Sequence, residues 1–252
     1  MTTHTSIDDT TGPHAVKAIR TGLPDFKPVD KSIADPDNIT LTFDIVNWTF
    51  NPSLPPPLPI AHTGTLRIQR RVQIDEIHYH IEQQTTIGGG LNNLEARITC
   101  HPDELNTLKS WEIFAHYENP SGETDPRLNM LEKGQNNTGT LQIQNGNYRY
   151  EYHATNPVIS QWTPLHFLMS HCSESTQTTF DLLQDLSLFK PNQSLICDGP
   201  IQIDVQGNQP LSLQTYAQTG SGIQPIHYLL DNENRPQLIT FSIRAWALTD
   251  IT

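Results

Sequence analysis

The densest run of side chains able to do chemistry is His78-Tyr79-His80-Ile81-Glu82. A strand turns successive side chains to opposite faces. His78, His80 and Glu82 then share one face, and Ile77, Tyr79 and Ile81 share the other. Two histidines at i and i+2 stand about 7 Å apart along a strand, near enough to share a metal, whereas Glu82 lies about 13 Å from His78. One ion cannot take all three without a bulge. Neutral imidazole also serves as a general base near pH 7. The same alternation equally describes the wet outer face of a meander, where His and Glu cost nothing.

A second group follows Gly220-Ser221-Gly222: His227, Tyr228 and Asp231, facing a strand that carries Arg244 and Trp246. The glycines lie between two strand-like runs, which suits a tight turn or bulge and not a phosphate cradle at a helix. Arg244 beside Trp246 needs a partner if it is buried, either an ion pair or something in a cavity. A third group, Trp162, His166 and His171, brackets the best helix candidate, Pro164 to His171. Histidines five apart do not share a helical face as an i, i+4 metal pair does. The candidates for moving protons are therefore His78, His80, Glu82, His227 and Asp231. The candidates for holding a ligand are Tyr79, Trp111, Tyr148, Tyr150, Trp162, Tyr228, Arg244 and Trp246. No metal set and no cofactor is expected.

The elements that position these residues read as β almost throughout. Thr-, Ile- and aromatic-rich runs recur at 39–50, 63–73, 74–86, 94–100 and 110–117, and again from 194 to 248. The glycines at 88–90 close one hairpin, and Asn145-Gly146 closes another between 140–144 and 148–153. Asp231 to Pro236 is a further hairpin loop, before one long strand from Gln237 to Leu248. Residues 119–137 read as a loop that covers an opening, and 179–189 as helix or strand. Residues 1–37 form a Pro-rich arm with Phe26 and Val29 as anchors, and Asn51 to Pro59 a polyproline connector. Residues 38–252 then make one all-β domain: about ten strands in a strongly curved antiparallel sheet or barrel, with one or two short helices.

The totals narrow the partners. Net charge is −12 over 252 residues, and the densest basic cluster, Arg67, Arg70 and Arg71, reads as an exposed strand edge. Nucleic acid is disfavoured. No run reaches the roughly 18 apolar residues of a membrane span. With no apolar leader the chain reads as cytoplasmic, or periplasmic if a signal peptide was removed. Three cysteines without CxxC spacing read as free thiols.

The run Gly222-Ile223-Gln224-Pro225-Ile226-His227-Tyr228-Leu229-Leu230-Asp231, continuing past Arg235-Pro236 into a closing strand, resembles uncharacterised bacterial half-barrel and calycin-like proteins. The resemblance implies a ligand carrier. With the aromatic residues, it leads to the expectation of a β-barrel cavity for a lipophilic or aromatic small molecule. Two activities fit: a non-catalytic carrier, or a cofactor-free cyclase or isomerase that shields positive charge with aromatic rings.

Overall fold

The computed structural model of the chain describes residues 26–48, 60–171, 173, 175–203 and 210–252. The first half holds β1 (Asn38–Trp48), β2 (Ile60–Val72), β3 (Ile77–Ile87), β4 (Gly90–Cys100), β5 (Leu108–Glu118), β6 (Met130–Asn137), β7 (Thr140–Asn145) and β8 (Tyr148–His153). After β9 (Val158–Ser160) and helix α1 (Pro164–His171) come β10 (Gln177–Gln184), β11 (Leu188–Ile203), β12 (Leu211–Gly220) and β13 (Ile226–Leu230). The chain ends with β14 (Pro236–Phe241) and β15 (Arg244–Ile251).

These fifteen strands form one sheet, ordered β8-β7-β6-β5-β4-β3-β2-β1-β15-β14-β13-β12-β11-β10-β9. Neighbours run antiparallel except β9 and β10, so the sheet is mixed. This corrects the expected ten-strand barrel. The two end strands, β8 and β9, do not pair, and the sheet stays open. It curls until β9 lies against β5, and Tyr152 of β8 stacks on Phe189 of β11 at 5.3 Å. Side chains, not a ladder, close the seam: Ser187 Oγ donates to Glu132 Oε2 at 2.8 Å.

The extra strands have identifiable causes. The run 237–248 is a hairpin, turning at Ser242 and Ile243 with Ser242 at φ 54°. No Gly, Asn or Pro marks that turn. The expected covering loop holds β6, whose Lys-Gly-Gln-Asn composition has little strand preference and is recruited by pairing with β5 and β7. Its Gly134 lies opposite Trp111, and a Cβ there would meet the indole at 2.1 Å. The ambiguous run 179–189 is the β10–β11 hairpin. The polyproline connector and residues 1–25 of the arm lie outside the described residues.

The inner, concave face carries the main core. Phe43 and Ile45 of β1, Tyr79 and Ile81 of β3 and Ile98 of β4 meet Trp162, Leu165 and Leu168, which plug the concavity from α1. A second apolar layer lies behind β12–β15: Val46, Leu213, Leu229, Leu238 and Ala247, covered by Phe26. Residues 26–31 are tied down there. Val29 N–H donates to Gln237 Oε1 at 2.9 Å, and Gln237 Nε2 returns a 2.9 Å bond to Val29 O. Lys31 pairs with Asp250. β13, β14 and β15 are consequently buried on both faces, which is why their sequences run apolar without alternation.

Candidate functional site

Strand register lays two parallel rows of side chains across the concave face. The deeper row is Ile45, Trp246, Ile239, Tyr228 and Tyr216, each opposite the next on β1, β15, β14, β13 and β12. Two residues along each strand toward the open end comes the second row: Asn47, Arg244, Phe241, Ile226 and Gln218. Period 2 keeps both rows on one face. The inner row is apolar and aromatic, the outer row mixed.

Trp246, Ile239 and Tyr228 of the deeper row, with Arg244, Phe241 and Ile226 of the second, form one wall of a partly open cup of about 310 Å³. Leu182 and Gln184 of β10, Gln83 of β3, and Gln161 complete it, with Ile223 and Gln224 from the β12–β13 turn. This volume is at the lower end of small-molecule pockets, roughly 300–1,000 Å³. Phe241 stands edge-on to Trp246 at 5.3 Å. Tyr228 Oη donates to Gln218 Oε1 at 2.7 Å, so the ring offers its apolar face while the hydroxyl is occupied. Burial pushes the Tyr228 phenol up, so it stays neutral.

Arg244 sits at the mouth. Its Nε donates to Asn47 Oδ1 at 3.3 Å, and its guanidinium lies 5.9 Å from the centre of the Phe241 ring. Among the described residues no carboxylate pairs with it. The facing lip is the β10–β11 turn, where Asp185 and Leu186 both have positive φ (51° and 57°). A positive φ is unusual for a bulky residue such as Leu186, whose side chain is fully buried. Gln161 clamps this turn: its Oε1 accepts from Asp185 N–H and its Nε2 donates to Asp185 Oδ1, both at 2.9 Å.

Of the sequence candidates, Tyr228, Arg244 and Trp246 meet in this cup. The others lie elsewhere. His78, His80 and Glu82 are on the outer face of β3, each against a neighbouring strand or turn: His80 Nε2 to Glu95 at 3.0 Å, His78 to Glu76 at 3.5 Å, Arg67 to Glu82 at 2.6 Å. His80, with Arg97, holds the Glu95 carboxyl below the usual carboxylate range. His227 is buried on the opposite side of β13 from Tyr228, in register with Ala217 and Thr240. Asp231 closes the β13–β14 turn, accepting from Arg235 Nε at 2.7 Å and Gln237 Nε2 at 2.6 Å. Trp111 covers Gly134, Trp162 is fully enclosed in the core, and Tyr148 and Tyr150 are exposed on edge strand β8. Tyr79 is in the core against His166.

The sequence reading missed Ile239, Phe241, Leu182 and the glutamines of the rim. Ile239 and Phe241 become neighbours of Trp246 and Arg244 only through the hairpin at 242–243. Among the described residues, no group of three or more His, Cys, Asp or Glu could hold a metal ion, and Cys100 and Cys197 are free thiols. No described helix is long and apolar enough to cross a membrane.

No protein-family model matches the chain, and no curated protein matches it. Among solved structures, it is similar to a DUF1089 family protein from Pseudomonas aeruginosa. The two share 11% identity over 77% of this chain and 95% of that one, at a TM-score of 0.37. This neighbour gives no link to calycins.

Proposed function

We propose that the chain binds a small lipophilic or aromatic molecule in the cup, with the molecule's polar or anionic end at Arg244. The observation that carries this reading is the pair of rows across β13, β14 and β15. An apolar floor of Trp246, Ile239 and Tyr228 lies directly beneath a mouth that holds a cation with no carboxylate partner among the described residues. Apolar surface supplies the driving force, and a few fixed polar groups orient the ligand. The amide rim of Gln83, Gln161, Gln184 and Gln224 offers donors and acceptors, and the one carboxylate among the lining residues, Asp185, is engaged by Gln161.

The carrier form of this reading is favoured over the cyclase or isomerase form. A proton-moving group must reach the bound molecule, and none of His78, His80, Glu82, His227 or Asp231 lines the cup. Asp185 does, but Gln161 engages both its carboxylate and its N–H.

Native mass spectrometry of the protein purified from its own host, beside the same sample denatured, tests the proposal. The expected result is one organic mass per chain, released on denaturation, apolar with an acidic or strongly polar end. A bare chain that also takes up neither decanoate nor an aromatic carboxylate overturns it.

A further inference from the structure

Strand β8 ends the sheet, with β7 on one side and no described strand on the other. Five of its six residues are exposed. Its ladder with β7 runs from Thr140↔His153 to Asn145↔Tyr148 without a bulge. Ala154 N–H donates to Gly139 O at 2.7 Å, one step further along the same ladder. Antiparallel pairs alternate between bonded and unbonded, so Tyr148, Tyr150 and Tyr152 bond to β7 as Ala154 does. The N–H and C=O groups of Arg149 and Glu151 then point away from β7. Among the described residues nothing bonds to them.

Natural edges are commonly blunted by proline, a bulge or charge. β8 has neither proline nor bulge, and its two full charges, Arg149 and Glu151, are of opposite sign on one face. Arg149 has no carboxylate partner among the described residues. Glu151 meets His153 Nε2 at 3.6 Å and accepts a long 3.4 Å bond from Gln142. On the other face Tyr148 is 71% exposed and Tyr150 47%. Tyr152, beside them, is already held against Phe189.

We propose that β8 pairs antiparallel with the β8 of a second copy of this chain, about a two-fold axis at Tyr150. The order Tyr148-Arg149-Tyr150-Glu151-Tyr152 selects both occupant and register. About that axis Arg149 stands opposite the partner's Glu151, and Glu151 opposite the partner's Arg149. These are the residues whose backbone groups point outward, so each pair exchanges both of its N–H···O bonds. Tyr150 meets its own copy in the closer, unbonded pair, and Tyr148 meets the partner's Tyr152, so rings exposed in one chain are covered in two. Other centres fail. An axis at Arg149 or at Glu151 sets like charges face to face. An axis at Tyr152 puts Arg149 opposite Thr155, whose N–H already donates to Asp181. Any extended segment could satisfy the backbone, but the match of both charges to themselves is what a two-fold contact requires. The contact does not depend on the cup, since no cup residue lies on β8.

The test is sedimentation velocity of the full chain over a concentration series, with thermal melts to confirm that each variant is folded. Wild type should form dimers at micromolar concentration. Arg149→Glu and Glu151→Arg each set like charges opposite in both pairs and should weaken self-association by roughly tenfold or more. Mixed in equal amounts, the two variants restore opposite charges in every pair and should sediment together as a dimer. Arg97→Glu, an exposed outer-face charge on β4, should leave the dimer intact. A monomeric wild type, which would leave the edge to an extended strand of another protein, overturns the proposal. So does a dimer that Arg149→Glu fails to weaken, or a mixture that associates no better than its parts.

Discussion

Strand β3 and strand β14 belong to the same sheet but meet their surroundings differently. In β3, Ile77, Tyr79 and Ile81 are buried while His78, His80 and Glu82 reach water. In β14, five of six residues are buried, because the segment from Phe26 lies behind it. The one-sided half of the sheet, β1–β8, can place titratable residues outward at no cost. There they pair with one another: His80 with Glu95, Arg67 with Glu82, Lys133 with Glu112. In the two-sided half a charge has nowhere cheap to go, so Arg244 at the mouth of the cup is informative. A dense run of His and Glu marks a wet face here, and an arginine among apolar strands marks the proposed site.

The contrast can be broken most forcefully at the cup floor. Trp246→Ala should cost about 4 kcal/mol in chemical denaturation, since it empties a packed aromatic site between Phe43 and Phe241. A loss under 1 kcal/mol would mean the two-sided half is loosely packed.

Asp181 comes next. This fully buried carboxylate accepts from Thr155 N–H, Asn156 N–H and Nδ2, and Asn192 N–H. Burial works against its ionised form, but these donors prevail and hold its pKa below the usual carboxylate value. A depressed folded-state pKa gives stability that is present above the unfolded value and is lost as pH falls through the folded one. Asp181→Ala should cost about 3 kcal/mol at pH 7, and the gap to wild type should narrow at acid pH. An unchanged gap down to pH 2 would contradict this.

The one-sided half has a packed inner face of its own. Gly134→Val would drive a side chain into Trp111 and should destabilise by about 2 kcal/mol. Its outer face should be nearly indifferent. His80→Ala removes a partly exposed pair and should change stability by no more than about 0.5 kcal/mol, with cup binding unaffected. A collapse of binding in His80→Ala would move the site to the outer face.

How much of this could be read from the sequence follows the same division. The alternation of β3, the Gly88-Gly89 turn with both φ positive, and Phe26 and Val29 as anchors of the arm are all visible in residue types. The Asn145-Gly146 signal marks its hairpin, although the two-residue loop falls on Gly146 and Asn147. The turns at Ser242-Ile243 and Asp185-Leu186 carry no glycine or proline, because packing and the Gln161 clamp hold them in place of local preference. Missing the first turn hid the register that joins Arg244 to Phe241. The second burying layer cannot be deduced from β13–β15 alone, as a continuous apolar run fits several surroundings. Arg244 and Trp246 stand out by residue type, but the sequence brings them to His227, and only the fold shows that Tyr228 shares their face while His227 lies on the other.

The central claim is that the cup takes an apolar molecule with its anionic end at Arg244. It is met most directly by titrating 1-anilinonaphthalene-8-sulfonate, an aromatic anion, into wild type, Arg244→Met and His80→Ala, with melts to confirm folding. The account predicts one saturable site, binding weakened roughly tenfold in Arg244→Met and unchanged in His80→Ala. Equal affinity in wild type and Arg244→Met, or no saturable binding at all, would contradict it.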